Sequence, residues 1–253
     1  PGWVSPPADC IERSQTPRSS DELEAMLVGV HKNLVGKDGF WDSILVGPSS
    51  APIARTNFPI HAIPKGEGSW QTIFNASWHN PDLKCASLNA HTPLVLGKVK
   101  YPETKYFTSM VKNFRYGRIA MIDVSGAYNH ICTNEEFSEA LGFNFPGTDY
   151  WFKYTSMAFG ARVGPVWYCV HGSMLPNLAR YLRPDLFDGS RGAIGVWVDD
   201  LFYFASTAKI AAEGFEFLKD LFDTLGFRRS ERKTFDPQKF RLVLGIVMDM
   251  DQG

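Results

Sequence analysis

Hydrophobic residues recur along the chain with two periods, one typical of strands and one typical of helices. Apolar runs rich in β-branched and aromatic residues predict a strand over 119–124 and a strand–turn–strand unit over 193–206. Helical spacing predicts helices over 21–36, 134–143, 164–182 and 207–227. The segment 239–249 predicts a final strand. Because these strands could pair in one mainly antiparallel sheet backed by the helices, the pattern indicates an α+β fold.

Local signals mark the ends of some of these elements. Ser19 and Glu22 have the spacing of a capping box at the start of the first helix, and Gly36 is expected to end that helix. Residues 1–20 carry several prolines and serines and are predicted to form an extended arm. Residues 40–100 contain six prolines and predict short strands joined by loops.

Composition excludes several classes of protein. The chain is 44% hydrophobic and long enough for a sizeable core, but no apolar run approaches the ~20 residues of a membrane-spanning helix. No charged N-terminal segment precedes an apolar stretch, so we expect an intracellular protein of the cytoplasm or nucleus. The cysteines are too dispersed for a metal knuckle or a disulfide scaffold and are predicted to be buried free thiols: Cys10, Cys85, Cys132 and Cys169.

Positive charge is concentrated in two stretches of a chain whose net charge is −1. Residues 98–118 hold six basic residues against one acid, and residues 228–241 hold six against two. The near-neutral total argues against a general coat for nucleic acid. The clusters fit either a local track for a polyanion or ordinary solvated faces.

Two adjacent acids, Asp199 and Asp200, interrupt the apolar run of 193–206. Burial of an unpartnered carboxylate costs several kcal/mol, so the pair either caps a tight turn or lies beside strong positive charge. Asp123 ends another predicted strand. If that strand lies beside the Asp-Asp hairpin, three carboxylates meet at one sheet edge, where divalent cations would relieve their repulsion. Two such ions can promote an in-line phosphoryl displacement.

Five segments, in order, resemble motifs of reverse transcriptases. MIDVSGAYNHI (121–131) resembles the first catalytic segment of that family, and WVDD (197–200) resembles its Asp-Asp hairpin, with Trp where Tyr is usual. The others are PKGEGSWQTIFNAS (64–77), similar to the fingers hairpin, FGARVGP (159–165), similar to the segment before the core helix, and LGFRRSERKTFDPQKFRLVLGIVMD (225–249), similar to the segment that contains the catalytic Lys. The Phe-Gly form of 159–165 resembles retrotransposon enzymes of the gypsy-like and DIRS-like types more than retroviral ones.

The resemblance implies a right-hand polymerase fold with fingers and palm, and an RNA-directed DNA polymerase that uses two Mg²⁺ ions, with Mn²⁺ as a substitute. Asp123 and Asp199 would bridge the ions, the Val124 carbonyl would complete a metal shell, and Asp200 would be a weaker ligand. Lys233 would assist the departure of pyrophosphate. The partners implied are an RNA template, a DNA primer and deoxynucleotides, without a membrane, and a thumb and an RNase H domain would lie outside this chain.

The resemblance also implies a set of substrate contacts. The backbone around Ser125, Gly126, Ala127 and Tyr128 would hold the triphosphate, and Tyr128 would lie beneath the sugar and block a 2′-hydroxyl. The remaining implied contacts are Phe159 and Gly160 at the template–nascent base pair, Lys65 and Gln71 at the incoming nucleotide, and Leu244 and Gly245 at the start of the primer grip.

The expected organisation is an N-terminal arm and helix over 1–40, a fingers-like region over 41–118 and a palm over 119–253, with part of the fingers interleaved at 132–158. Departures from the family pattern keep two alternatives open. Gln71 stands where the family has an Arg that clamps the triphosphate, which favours a catalytically weak module that binds nucleic acid or protein in a larger assembly. An RNA-dependent RNA polymerase shares the palm acids, but Tyr128 argues against it.

Overall fold

The structure is a computed structural model that describes residues 19–35, 44–66, 68–79, 87–92 and 102–252. Most of the predicted N-terminal arm, Gly36, Cys10 and Cys85 lie outside these residues. Within the described ranges the helices are α1 (Ser20–Val35), α2 (Leu88–His91), α3 (Thr104–Asn113), α4 (Glu135–Ser138), α5 (Gly164–Leu182), α6 (Pro184–Phe187) and α7 (Ala208–Thr224).

The strands are short and pair antiparallel throughout the described part of the chain. They are β1 (Leu45–Ser49), β2 (Ile60–Gly66), β3 (Ser69–Phe74), β4 (Arg118–Asp123), β5 (Gly142–Asn144), β6 (Trp151–Tyr154), β7 (Gly192–Trp197), β8 (Asp200–Ala205), β9 (Phe235–Gln238), β10 (Phe240–Val243) and β11 (Ile246–Asp249). They form separate sheets ordered β1-β6-β5, β2-β3, β7-β8-β4-β9 and β10-β11. The expectation of a single sheet is therefore wrong, because no strand pairing within the described ranges joins these groups.

The polypeptide divides into two compact units. The first takes in the described residues of Pro1–Gly97 together with Tyr128–Val166, and the second those of Lys98–Ala127 together with Trp167–Gly253. The segment 132–158 therefore belongs to the first unit, with the β2-β3 hairpin.

The first unit is built on aromatic packing around the β1-β6-β5 sheet and the β2-β3 hairpin. Phe74, Phe143 and Tyr154 are buried with their rings in edge or tilted contact. Helix α1 begins as its sequence predicts, since the Glu22 N–H donates to the Ser19 hydroxyl over 3.1 Å. The helix packs closely on β3 because Gly29 has no side chain: a Cβ there would lie 1.9 Å from the Thr72 hydroxyl oxygen.

The second unit is a four-stranded sheet, as far as the structure describes it, with different partners on its two faces. One face carries Phe202 and Phe204 and packs with Phe107 and Phe114 of the α3 region and with residues of the β10-β11 hairpin. The opposite face carries Tyr203, whose hydroxyl donates to the Ile210 carbonyl of α7 over 3.1 Å. This layering of helices on an antiparallel sheet is the predicted α+β arrangement.

Two element predictions are wrong in part. The helix expected over 134–143 ends at Ser138, and Gly142 instead begins β5. This strand pairs with β6, and a Cβ at Gly142 would lie 2.2 Å from the Ala54 side chain, so the position requires glycine. The final strand expected over 239–249 is the β10-β11 hairpin, because Leu244 and Gly245 both adopt positive φ angles, 50° and 77°, and reverse the chain.

The prediction that the cysteines are buried is also corrected, since the free thiol of Cys132 is exposed and that of Cys169 is only partly buried. No helix in the described ranges is long and apolar enough to cross a membrane.

Candidate active site

Asp123 and Asp200 lie directly opposite each other on neighbouring strands. The register pairs Asp123, the last residue of β4, with Asp200, the first residue of β8. Side chains of directly paired residues lie on the same face of a sheet. Asp123 is only 4% exposed. The hypothesis that the two strands meet and bring these acids together is supported by this register.

Asp199 belongs to the tight turn that connects β7 to β8. Trp197 pairs with Asp200 across the turn, and Val198 adopts a φ of 53°, which a two-residue hairpin connection requires at its first position. The Asp199 carbonyl accepts a hydrogen bond of 2.9 Å from the Val124 N–H. The turn is thereby fastened to the chain just after β4, and all three predicted acids lie at one end of the sheet.

Lys233 supplies positive charge at this edge. Its Nζ donates to Asp123 Oδ1 over 2.8 Å, although the two residues are 110 positions apart. The segment before Lys233 is held alongside the end of β4, because the Ser230 N–H donates to the Asp123 carbonyl and the Ser125 N–H donates to the Arg228 carbonyl. This contact with Asp123 supports the prediction that Lys233 acts beside the catalytic acids, but its role stays a prediction.

The acids perturb one another. Burial, followed by the negative charges of Asp199 and Asp123, raises the pKa of Asp200 to about 7, while the charge of Lys233 opposes this rise. The pKa of Lys233 is itself raised by its hydrogen bond to Asp123. One lysine thus faces three carboxyl groups, and the protonated form of Asp200 persists to a higher pH than that of an ordinary aspartate.

Tyr168 of α5 is a buried neighbour of the acids that sequence reasoning missed. Its pKa is raised by burial and then by the charges of Asp199 and Asp123, so its hydroxyl keeps its proton. The residue is only 1% exposed. In the sequence Tyr168 is one of many apolar positions of a core helix, so its spacing gives no signal of this location.

The carboxylates at this edge are of the chemical type that binds a hard divalent cation, but the three of them do not converge on a single ion position. Carboxylates crowded at one edge are the ligands that Mg²⁺ prefers, and that ion keeps waters or substrate phosphates in its remaining positions. Within the described ranges, however, no three His, Cys, Asp or Glu side chains converge so that they could hold one ion together. Two carboxylates with substrate oxygens therefore fit the ion better than a shell supplied by protein alone.

The predicted nucleotide-binding turn follows directly after Val124. Gly126 adopts a φ of 64°, and a 3-10 turn runs from Ala127 to His130. The prediction for Ser125 needs correction, because its backbone N–H already donates to the Arg228 carbonyl over 2.8 Å. That the backbone N–H groups of Gly126, Ala127 and Tyr128 bind the triphosphate stays a prediction.

Tyr128, Phe159 and Gly160 are brought together in the first unit. The rings of Tyr128 and Phe159 lie 4.7 Å apart, and the start of α5 packs near the Tyr128 ring at Gly164. Gly160 adopts a φ of 112°, and a Cβ there would lie 1.9 Å from the Phe74 carbonyl oxygen. The Phe-Gly turn therefore requires glycine for its own close contact with β3.

Asn89 fastens this turn and was also missed from sequence. Its amide donates to the Gly160 carbonyl over 3.0 Å and to the Ser77 hydroxyl over 2.7 Å, while its side-chain oxygen accepts from the Arg162 N–H over 2.7 Å. An Asn in a proline-rich loop region carries no pattern that distinguishes this role from an ordinary turn.

The remaining predicted residues lie on hairpins. Gln71 pairs with Ile63 across the β2-β3 hairpin and is half-buried, and Lys65 of β2 is exposed. Leu244 and Gly245 form the turn of the β10-β11 hairpin. Their roles with nucleotide and primer stay predictions.

Comparison with known proteins finds similar structures but no similar sequences. No family model matches the chain, and no curated protein is similar to it in sequence. The foamy viral protease-reverse transcriptase in complex with double-stranded DNA matches with a TM-score of 0.75 at 16% identity, over 100% of this chain and 37% of that one. The foamy viral enzyme in complex with an RNA/DNA hybrid matches with a TM-score of 0.68 at 16% identity, over 98% and 28%.

The native prototype foamy virus protease-reverse transcriptase matches with a TM-score of 0.70 at 14% identity, over 94% of this chain and 27% of that one. The chain thus corresponds to well under half of each of these proteins. It has a reverse-transcriptase-like fold of mixed helices and antiparallel sheets that matches fingers and palm. The predicted fold class is confirmed.

Proposed function

We propose that the chain is the fingers-and-palm core of an RNA-directed DNA polymerase of the retrotransposon type. The observation that carries the proposal is the meeting of Asp123, Asp199 and Lys233 at one end of the β7-β8-β4-β9 sheet, in the order that the sequence motifs require. The neighbours that share the fold are described as complexes with double-stranded DNA and with an RNA/DNA hybrid, which supports nucleic acid as the partner.

In this proposal Asp123 and Asp199 hold Mg²⁺ or Mn²⁺, with Asp200 and the Val124 carbonyl as weaker ligands. When bound, the ions supply positive charge to the attacking primer hydroxyl and to the leaving pyrophosphate. Lys233, which forms an ion pair with Asp123 at the same edge, would stabilise or protonate a departing phosphate. Tyr128 restricts the sugar to a deoxyribose, and the backbone of Gly126 and Ala127 binds triphosphate oxygens.

Primer extension on an RNA template tests the proposal. Deoxynucleotides and ribonucleotides are supplied in separate reactions with Mg²⁺ or Mn²⁺, and Asp199→Asn is compared with Asp220→Asn, which changes an exposed acid of α7. We expect extension with deoxynucleotides alone, lost in Asp199→Asn and kept in Asp220→Asn. Extension with ribonucleotides would instead indicate an RNA polymerase. Equal extension by both variants would show that Asp199 takes no part in catalysis.

A second candidate is a weakly catalytic module that binds primer–template within a larger assembly. Two observations favour it: no three ligands converge on a metal position within the described residues, and Gln71 brings no charge to the fingers hairpin. Binding of an RNA/DNA hybrid without extension, together with no rise of the melting temperature on addition of Mn²⁺, would support this candidate over the first.

A further inference from the structure

A cavity of about 310 Å³ lies in the second unit beside β7, outside the carboxylate edge. Helix α3 contributes Tyr106 to its wall, α5 contributes Cys169, Ser173 and Arg180, and β7 contributes Val196. The volume is at the lower end of the range of small-molecule sites. The walls are mainly apolar, with a few polar groups among them.

The cavity is bordered by the open edge of the sheet. β7 is the outer strand of the order β7-β8-β4-β9. Since Trp197 and Asp200 form the hydrogen-bonded pair that closes the two-residue turn, the alternation of an antiparallel ladder turns the backbone groups of Ile194 and Val196 away from β8. Among the described residues, the backbone N–H and C=O of Val196 have no hydrogen-bond partner.

The far end of this edge is already closed by side chains. The Ile194 carbonyl accepts from Arg180 Nη2 over 3.3 Å and, more weakly, from the Tyr106 hydroxyl over 3.5 Å. A peptide strand added to β7 would have to displace both groups to continue past Ile194. The edge therefore suits a compact ligand better than an extended peptide.

The polar groups of the cavity are mostly donors. Arg180 also donates to the Asn177 side-chain oxygen over 3.2 Å, and no carboxylate lies within ion-pair distance of its guanidinium in the described part of the chain. The Val196 N–H adds a further donor, whereas the Ser173 hydroxyl already donates to the Val170 carbonyl over 2.7 Å. An uncompensated guanidinium at one end of an apolar, donor-lined space complements a negatively charged acceptor attached to a flat apolar body.

We propose that this cavity is a binding site for a planar aromatic carboxylate, with its carboxylate on Arg180 and its ring in the apolar part of the cavity lined by Tyr106, Pro176 and Val196. The proposal does not depend on polymerase activity: Val198 of the Asp-Asp turn also lines the cavity, but Arg180, Tyr106 and Val196, which carry the proposal, have no part in the proposed chemistry. Cys169 in the wall provides a reporter of occupancy.

Binding of naphthalene-2-carboxylate to the full chain tests the proposal, with naphthalene-2-carboxamide as the neutral match. Titrations are followed by the amide resonance of Val196 and by protection of Cys169 from N-ethylmaleimide, resolved from the other cysteines by peptide mass spectrometry. We expect saturable binding of the carboxylate, protection of Cys169, and binding of the carboxamide weaker by about tenfold, the loss expected when a charge-assisted contact is removed.

Arg180→Gln should weaken the carboxylate by about tenfold and leave the carboxamide unchanged, whereas Lys209→Gln, the same change of charge on the exposed face of α7, should alter neither. Ser173→Phe should abolish binding of both compounds by filling the cavity. Each variant is compared only if its thermal unfolding midpoint matches that of the parent chain, and both cavity variants replace exposed residues. Absence of saturable binding, or equal affinity in Arg180→Gln, would overturn the proposal.

Discussion

Replacement of Asp200 by asparagine should stabilise the protein in the absence of divalent cations. Asp200 is half-buried beside Asp123 and Asp199, and its pKa is raised from an ordinary value of 3.8 to about 7 by burial and then by those charges. The folded state therefore binds a proton that the unfolded state releases above about pH 4. It follows that this group lowers the stability progressively as the pH rises from about 4 to about 7, and fully above that range.

The size of the effect follows from the same shift. A rise from 3.8 to about 7 corresponds to at most about 4 kcal/mol at 1.36 kcal/mol per pKa unit. Because Asp200 is partly open to solvent, screening reduces this figure, and we expect about 1–2 kcal/mol. Asparagine keeps the shape and a donor for Asp123 without the charge, so Asp200→Asn should gain that amount at pH 8 and nothing near pH 4.

Urea unfolding with EDTA present, measured near pH 4, 6 and 8, tests this prediction. Asp220→Asn is the control for removal of an exposed acid from the same unit. The difference in unfolding free energy between Asp200→Asn and the parent chain should grow with pH. Addition of Mg²⁺ in place of EDTA should reduce this difference, because the cation neutralises the carboxylates of the parent chain. A gain that is independent of pH, or equal in Asp220→Asn, would refute the electrostatic reasoning.

Three further substitutions have definite expected outcomes. Gly160→Ala should lower the free energy of unfolding by about 2 kcal/mol or more, because its Cβ would clash with the Phe74 carbonyl, whereas Gly147→Ala also replaces a glycine of positive φ but meets open space and should lose less in the same urea titration. Lys233→Gln should slow primer extension about 10²-fold with little change in primer binding, and Lys233→Arg should restore part of the rate. Tyr128→Ala should admit ribonucleotides in competition assays, and unchanged discrimination would exclude it as the sugar gate.

The sequence determined those features of this protein that depend on neighbours along the chain. The helix predicted over 164–182 is α5 with the same bounds, and the strand–turn–strand unit around the Asp-Asp pair is β7 and β8. Helical spacing and a tight turn between apolar runs are local patterns, so one sequence is enough to find them. The placement of Asp123 and Asp200 at strand ends is local in the same sense, because each acid directly adjoins an apolar run.

Tertiary structure alone decided which distant groups meet. The hydrogen bond between Lys233 and Asp123 spans 110 positions, and Asn89 reaches the Gly160 carbonyl across 71. Gly142 and Phe143 lie in a segment with helical spacing but belong to β5, where they pair with β6. The Ser125 N–H donates to the Arg228 carbonyl, which is also distant along the chain. Such pairings depend on how the whole chain closes on itself, and no pattern of spacing encodes them.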